Sequence, residues 1–239
     1  MLARLLLCVL SLTLMPAHAA APERVLIFSK TAGFRHESIP VAVATLARLA
    51  AEAGMLADHT EDGAAFSPEN LARYRVVVFA STTGTVLDDP QKAAMQAFMQ
   101  DGGGFVGVHA AADTEYDWPW YGELVGARFR NHPPGLQHSR VQPEHEGRPV
   151  GAAWPVHDEL YNYRSNPRGQ VSVVATLDEK LYEGGSMGDD HPITWCHRFG
   201  GGRAWYTGLG HSNEIYAQAE FLDQLRQGLA YASGRAHAC

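Results

Sequence analysis

Four histidines stand beside predicted strand ends or tight turns, and they are the residues of this chain that point most directly to chemistry. They are His36, His109, His191 and His211, out of twelve histidines in the sequence. Neutral imidazoles that lie close together can hold Zn²⁺ or a similar divalent ion, and they can also act as general acids and bases. None of the four has the short His-x-x-x-His spacing of a helical metal motif. The residues therefore leave a metal site and metal-free acid–base chemistry open.

His109 is the most informative of the four because it closes a short, glycine-rich strand. The apolar segment 102–108 leads into His109, and the small residues 110–112 follow it. This pattern predicts an elbow from a strand into a helix, at the edge of a sheet where α/β proteins present reactive groups. Small residues allow the tight turn and leave room for a ligand. Many α/β hydrolases carry Ser or Cys at such an elbow, whereas this chain carries the imidazole of His109.

The residues after this elbow combine acidic groups with flat aromatic rings. Asp113, Tyr116 and Trp118 lie within one short segment. Aromatic rings can pack on the apolar face of a sugar ring while carboxylates bond its hydroxyl groups. This interpretation predicts a substrate site for a small carbohydrate. The alternative is that Trp118 belongs to the core and the acidic residues begin a solvated helix.

Other predicted strands and turns carry further candidates for the same site. Arg35 and His36 follow the first strand, where they could bind an anion or a metal or could belong to a solvated capping loop. Asp158 and Glu159 are adjacent, so their side chains point in different directions and we expect only one of them to reach the site. The remaining predicted substrate-binding residues are His132, Asp158, His191 and Trp195.

Alternating apolar strands and amphipathic helices predict the framework that positions these groups. The predicted strands are 25–29, 75–80, 105–109, 171–177, 193–199 and 204–207. The predicted helices are 39–53, 88–100 and 214–232. Strands that alternate with helices are typical of a doubly wound, mostly parallel α/β sheet with helices on both faces.

The beginning of the chain and its overall charge limit where the protein works and what it binds. A basic start, a short apolar run and Ala17-His18-Ala19 predict a secretory signal peptide over residues 1–20, so the mature protein is expected in the periplasm or outside the cell. Residues 21–239 are then expected to form a single domain. The net charge is −7 without a basic stripe, which argues against nucleic acid as a partner. No later segment is apolar for long enough to cross a membrane.

Two cysteines remain after the predicted cleavage. Cys196 lies in an apolar and aromatic run, so it is expected to be a buried core residue rather than part of a bridge or a nucleophile. Cys239 is expected to be frayed. Two cysteines do not make a disulfide framework, although export would permit a bridge.

Five ordered motifs of this chain resemble the trehalose-utilisation (ThuA-like) family. They are segments 34–36, 102–113, 158–161, 191–195 and 206–214. The resemblance covers nearly all of residues 21–239 and implies a flavodoxin-like fold similar to that of the class I glutamine amidotransferases. Those enzymes place a cysteine at the elbow where this chain has His109, and an imidazole does not replace a thiolate in forming an acyl-enzyme. Glutamine amidotransferase activity is therefore not expected.

The resemblance, with the acidic and aromatic loop as support, predicts a secreted carbohydrate-processing enzyme. It would be a hydrolase or lyase that acts on a glycoside or on a keto-sugar derivative. His109 and His211 are expected to be acid–base groups or metal ligands, with Glu214 orienting His211. His36 and His191 are expected to bind substrate or metal. The alternatives are a non-catalytic sugar-binding or accessory protein and a metal-dependent amide or ester hydrolase.

Overall fold

The computed structural model describes residues 21–239, and the predicted signal peptide lies outside these residues. Its strands are β1 (Arg24–Phe28), β2 (Leu56–Thr60), β3 (Val76–Ala80), β4 (Gly104–Val108), β5 (Phe129–Asn131), β6 (Gln137–His145), β7 (Arg148–Pro149), β8 (Trp154–Asp158), β9 (Asn162–Tyr163), β10 (Ser172–Leu177), β11 (His191–Phe199) and β12 (Gly202–Thr207). Its α-helices are α1 (Ile39–Glu52), α2 (Pro68–Leu71), α3 (Asp89–Gln100), α4 (Pro119–Val125) and α5 (Ala219–Ser233).

A parallel sheet of five strands forms one half of the molecule, and the sequence predicts all of these strands except β2. Its order is β2-β1-β3-β4-β12, and every neighbouring pair in this half is parallel. β3 and β4 are buried along their whole length. Strands that are covered on both faces read as continuous apolar runs, which explains why the sequence reveals them. The predicted α/β, doubly wound fold is confirmed.

Helices cover both faces of this parallel half. α1 and α5 contact each other and lie on one face, where α5 packs across β4 and β12. α2, α3 and α4 cover the opposite face, and the buried ring of Tyr121 on α4 packs against Phe79 of β3 and Phe105 of β4. α3 begins with a capping box formed by Asp88 and Gln91, a pattern that satisfies backbone donors of the first turn.

An antiparallel extension continues the sheet beyond β12. β11, β10 and β6 follow in order, and β6 pairs with both β7 and β8. The sequence indicates β10 and β11, but it did not reveal the strands between 129 and 163. This region is rich in His, Pro and Gly, and its strands are exposed at alternate positions, so no continuous apolar run marks them.

Two features of the carboxyl-terminal part of the chain, from β11 onward, differ from the sequence-based expectation. The predicted helix 214–232 begins only at Ala219, because Glu214–Ala217 forms a separate 3-10 turn. Cys196 is buried, as expected, but it also forms a disulfide with Cys239, so the expectation of an unbridged pair is wrong. The turn after α5 brings Cys239 back over the sheet, with the two Cα atoms 6.3 Å apart.

Within residues 21–239, no helix is long and apolar enough to cross a membrane.

Candidate functional site

The carboxyl ends of three parallel strands, together with the end of one antiparallel strand, carry the candidate site at one edge of the sheet. His36 lies in the loop after β1, His109 directly follows β4, and His211 lies in the loop after β12. Glu159 directly follows β8 in the antiparallel extension. The carboxyl edge of an open α/β sheet is where such folds bind ligands. The chain therefore brings four potential ligands together from four distant segments.

His36, His109, His211 and Glu159, hereafter the histidine cluster, converge on one point. One donor atom from each of the four side chains lies within 4.8 Å of the corresponding atom of the others. Oε2 of Glu159 is 3.4 Å from Nε2 of His109 and 3.2 Å from Nδ1 of His211. The rings of His36 and His109 meet edge to face with centroids 4.7 Å apart. The cluster is the only group of three or more potential metal ligands found among residues 21–239.

The ring nitrogens that face the centre of the cluster are buried and make no hydrogen bond in the described part of the chain. They are Nδ1 of His36, Nε2 of His109 and Nδ1 of His211. Buried polar atoms are almost always hydrogen-bonded, and an unpaired one costs about 1–3 kcal/mol. Three such atoms on neighbouring rings form a set of lone pairs that could bind a cation.

The hydrogen bond on the far side of His109 fixes the state of its inner nitrogen. Nδ1 of His109 lies 2.8 Å from the carbonyl oxygen of Gly208, which can only accept, so Nδ1 must carry the proton. Nε2 is then left with a bare lone pair in the neutral ring. A lone pair that faces a carboxylate oxygen is repelled unless a proton or a metal ion lies between them. This arrangement is typical of metal-binding histidines, whose second nitrogen donates to a carbonyl or carboxylate.

The backbone of the elbow is held in an unusual conformation. His109 has a φ of +51°, a left-handed value that is uncommon for residues other than glycine. Gly210 has a φ of +128°, and a Cβ atom there would lie 2.7 Å from the hydroxyl oxygen of Tyr216 and 3.4 Å from Cβ of His109. Glycine at position 210 thus lets the loop after β12 approach the elbow. Such local strain persists at functional sites because the surrounding structure enforces it.

β3, the strand next to β4, is also followed by a residue with a left-handed backbone conformation. Ser81 follows β3, has a φ of +51° and is completely buried. Its backbone N–H donates to the carbonyl of Val108, which places it next to His109. Its hydroxyl oxygen has no hydrogen-bond partner within residues 21–239. No sequence pattern marks this serine, and only its backbone geometry and burial distinguish it.

Burial and mutual proximity shift the protonation of the cluster. Burial lowers the pKa of His36 to about 3, and the positive charges that His109 and His211 would carry add to the shift. Burial alone would raise the pKa of Glu159, but the adjacent His109 and His211 hold it well below its ordinary value. Contact with Glu159 raises the pKa of His211. At neutral pH, the site thus contains an ionised carboxylate and at least one neutral imidazole, both suited to a metal ion.

Asp158 supports the cluster from behind. It is fully buried, and its carboxylate accepts backbone N–H bonds from Gly210 at 2.7 Å, from Ser212 at 2.8 Å and from His211 at 3.3 Å. These bonds hold the loop that carries His211. The sequence predicted Asp158 as the substrate-binding member of the adjacent acidic pair, but Glu159 reaches the centre. The alternating burial of β8, with Trp154, Val156 and Asp158 inward, was the signal that could have separated the two.

His132, Asp113 and Tyr116 lie around the cluster. Nδ1 of His132 is 3.2 Å from Oε1 of Glu159, and the His132 side chain keeps 35% of its exposure, so it faces solvent above the cluster. Asp113 ends the 3-10 turn that His109 begins, and it accepts a hydrogen bond of 2.6 Å from the Tyr116 hydroxyl. Burial raises the pKa of Asp113 despite this hydrogen bond. These three predicted substrate-binding residues therefore remain candidates.

His191 and Trp195 are buried elsewhere. Nε2 of His191 donates to the carbonyl of Tyr161 at 2.9 Å, and Nδ1 can accept a hydrogen bond from the Tyr182 hydroxyl at 3.2 Å, with Glu179 also close by. Both of its nitrogens are thus engaged, and His191 does not join the cluster, contrary to its prediction as a metal ligand. Trp195 is fully buried and donates from Nε1 to the carbonyl of Val125. It packs in the core and is not part of the histidine cluster.

Glu214, Arg35 and Trp118 also do not take the predicted positions. Glu214 is exposed on its 3-10 turn, and Glu159, rather than Glu214, contacts the ring of His211. Arg35 is exposed and forms an ion pair of 2.7 Å with Glu61. Trp118 stacks on Trp120 and Tyr121 at the start of α4 and packs against the core. Arg35 therefore belongs to a solvated loop and Trp118 packs on the core, which are the alternatives that the sequence left open for these two residues.

The donor set of the cluster fits a divalent transition metal. Three imidazole nitrogens and one carboxylate oxygen are ligands that Zn²⁺ and related ions accept. With metal–nitrogen bonds of about 2.0–2.1 Å, two ligands of one ion lie at most about 4.2 Å apart, so the side chains need only a small inward movement. Exposed His132 and half-exposed His211 mark the side from which an ion or substrate would enter.

Comparison with known proteins gives one family and several structures. The family model described as trehalose utilisation (ThuA) matches residues 24–232. A ThuA-like protein from Bacteroides uniformis is 25% identical, with a TM-score of 0.68 over 91% of this chain and 93% of that chain. One from Parabacteroides merdae is 20% identical, with a TM-score of 0.71 over 89% of this chain and 90% of that one. A search among functionally curated proteins gives no match.

A more distant similarity concerns the fold alone. Gan42B, a GH42 β-galactosidase from G. stearothermophilus, is 16% identical, with a TM-score of 0.55 over 88% of this chain and only 30% of that one.

Proposed function

Because the chain belongs to the trehalose-utilisation (ThuA) family, we propose that it is a carbohydrate-processing enzyme, a hydrolase or lyase acting on a glycoside or keto-sugar derivative. The observation that carries the proposal is the convergence of three unpaired imidazole nitrogens and the Glu159 carboxylate at the carboxyl edge of the sheet. A protein that only binds sugar needs hydroxyl-bonding groups and flat surfaces, and it gains nothing from buried nitrogens left without partners. The cluster therefore favours catalysis over simple binding.

We further propose that the cluster holds a divalent metal ion such as Zn²⁺, with His36, His109, His211 and Glu159 as its ligands. Once bound, such an ion polarises an oxygen atom of the substrate and stabilises the negative charge that develops on it. Gly208 keeps the proton on Nδ1 of His109, so Nε2 presents its lone pair inward. Asp158 fixes the backbone of His211. The proposed ligand set thus contains Glu159 in place of His191, which the sequence had suggested.

Asp113 is the residue best placed to move a proton in this site. It lies at the end of the turn that His109 begins, it is half-buried, and the charges of His109 and Glu159 act on its carboxyl group. A raised pKa brings a carboxylic acid closer to the pH at which it can both donate and accept a proton. Tyr116 holds the carboxyl group in place through its hydroxyl.

A thioester mechanism does not fit the site. Both cysteines of the described part of the chain are joined in the Cys196–Cys239 disulfide, and neither belongs to the histidine cluster. Acyl-enzyme formation of the amidotransferase type needs a free thiolate at the elbow. We therefore propose that the chain has no glutamine amidotransferase activity.

The same disulfide supports our proposal that the protein works in the periplasm or outside the cell. Disulfides persist in oxidising compartments and are rare in the reducing cytosol. The amino-terminal sequence pattern points to the same compartment.

The proposed function is tested by turnover of a panel of sugars that contains trehalose, other disaccharides and their 3-keto derivatives. Wild type is compared with His109→Ala and with His138→Ala, which removes an exposed imidazole from β6. We expect one substrate whose turnover His109→Ala and a chelator both abolish, while His138→Ala leaves it unchanged. Turnover that survives His109→Ala would contradict the proposal. Sugar binding without turnover, unaffected by His109→Gln and His211→Asn, would favour the non-catalytic alternative.

A further inference from the structure

Phe34 is an aromatic side chain held in solvent at the edge of the histidine cluster. Its exposure is 65%, the largest among the exposed large hydrophobic residues of the part of the chain that the structure describes. Its ring meets the ring of His36 edge to face, with centroids 4.8 Å apart. His36 in turn contacts the rings of His109 and His211. Phe34 therefore stands one ring away from the centre of the cluster.

The loop that carries Phe34 is held in place by hydrogen bonds to Thr83. The Thr83 hydroxyl donates to the carbonyl of Phe34 at 2.8 Å and accepts the N–H of Gly33 at 3.2 Å. The N–H of Ala32 donates to the Thr83 carbonyl at 2.8 Å, and Thr31 forms a β-bridge with the same residue. The loop is thus fastened to the segment after β3 on both sides of Gly33. The exposure of the Phe34 ring is built into the fold.

We propose that Phe34 is a binding platform for the ring of a carbohydrate substrate, a step that rests on the proposed function. The position joins an apolar, flat surface to a centre made of imidazoles and a carboxylate. A ligand that fits both must present an apolar face to the aromatic ring and polar oxygens to the cluster. A sugar ring has this division, with axial C–H groups on one face and hydroxyl or carbonyl oxygens at its rim. Phe34 then selects cyclic sugars over open-chain polyols.

The structure offers a matched control for this platform. Leu56 is 47% exposed and begins β2, at the amino edge of the parallel strands and thus opposite to the histidine cluster. Leu56→Ala removes a similar amount of exposed apolar surface without touching the site. Phe34→Trp keeps a flat ring at the platform. Phe34 supplies no donor atom to the cluster, so substitution there is expected to leave the metal content unchanged.

The test is calorimetric binding of trehalose, maltose, cellobiose and lactose to the purified protein, with mannitol as an open-chain competitor. For the sugar that wild type binds most tightly, we expect Phe34→Ala to raise Kd about tenfold. This is the effect of losing the apolar contact that the bound sugar would make with the Phe34 ring. Phe34→Trp and Leu56→Ala should stay within about twofold of wild type. Mannitol binding should not respond to Phe34→Ala.

Two results would overturn the platform. One is an unchanged Kd in Phe34→Ala, and the other is a wild type that binds none of the cyclic sugars more tightly than mannitol. Metal content and turnover are measured on the same preparations, so a failure of the platform is distinguished from a failure of the proposed function. A Phe34→Ala protein with full metal content, full kcat and unchanged KM would reject Phe34 alone and leave the histidine cluster intact.

Discussion

His109 and His191 are both completely buried and both lie near a glutamate, yet their surroundings differ in one respect. The Tyr182 hydroxyl lies 3.2 Å from Nδ1 of His191 and can donate to it, and Nε2 of His191 donates to the Tyr161 carbonyl, so both ring nitrogens have a hydrogen-bond partner. Nε2 of His109 faces Glu159 without a hydrogen bond. The first histidine joins elements of the fold, whereas the second keeps an unpaired nitrogen, which our proposal assigns to a metal ion. Hydrogen-bond satisfaction, and not burial or the presence of a carboxylate, separates the two.

The two glutamates provide the largest expected contrast. Glu159→Gln removes the charged ligand of the cluster, so we expect its affinity for Zn²⁺ to fall by more than about 100-fold, beyond the effect of removing a supporting group. Glu179→Gln removes the charge next to His191 and weakens the N–H bonds from Met187 and Gly188. It should leave Zn²⁺ affinity within about twofold and lower the free energy of unfolding by about 1–3 kcal/mol.

These expectations are checked by competition with a chromogenic chelator and by urea unfolding of the metal-free proteins. A Glu179→Gln variant that loses zinc affinity as severely as Glu159→Gln would break the distinction between the two regions.

Asp158→Asn tests whether Asp158 only holds the loop of His211 or binds the metal ion itself. The substitution removes the negative charge that accepts three backbone N–H bonds and turns one oxygen into an NH₂ group that faces donors. We expect zinc affinity to fall about 10-fold, since the loop that carries His211 loosens while all four ligands remain. The same chelator competition measures it. A loss as large as that of Glu159→Gln would mean that Asp158 is itself a ligand.

The pH dependence of stability provides a third contrast. The pKa of His36 falls from 6.5 to about 3 on folding, so the unfolded chain binds the additional proton between these values. Metal-free protein should therefore lose stability as the pH falls from about 6.5, by up to about 1.4 kcal/mol per pH unit from this residue.

His36→Gln removes this contribution and leaves the other titrating groups, including Glu159 and His211, in place. Urea unfolding at pH 7, 6 and 5 in the presence of a chelator should show wild type losing more stability than His36→Gln on acidification. Parallel curves for the two proteins would show that His36 is not kept neutral by the cluster.

The disulfide is expected to have the smallest effect on the site. Cys196 and Cys239 are separated by 43 residues, and the chain-entropy model assigns a loop of this length about 4 kcal/mol of stability. Cys196→Ala with Cys239→Ala should lower the free energy of unfolding by up to this amount, as measured by urea unfolding. Zinc affinity should not change, because neither cysteine contacts the cluster. A parallel loss of zinc affinity would contradict the separation of the two regions.

Four of the five parallel strands and three of the four cluster residues could be predicted from the sequence, whereas the edge strand β2 was missed because none of its residues is fully buried. β1, β3 and β4 are continuous apolar runs, and histidines that directly follow such strands must lie at the same edge. Strands such as β6 and β8 were missed because one face of each is polar and Pro interrupts them. Their patterns are shorter and weaker than a run of buried residues.

The rest of the site depends on contacts between distant segments, which residue type and spacing do not encode. The sequence points to Glu214 as the partner of His211 because it lies three residues away, but the pairing of β8 with β6 places Glu159 against the ring instead. His191 also follows a predicted turn, yet its partners Glu179 and Tyr161 come from separate loops. The disulfide likewise depends on how the segment after α5 returns over β11.

Whether the histidine cluster holds a metal ion is tested most directly by the metal content of the purified mature protein, measured by elemental mass spectrometry. Wild type and His138→Ala should contain about one divalent transition-metal ion per chain, and His109→Ala should contain less than about a tenth of that amount. Equal metal content in wild type and His109→Ala, or a wild type that remains metal-free after incubation with Zn²⁺, would contradict the account.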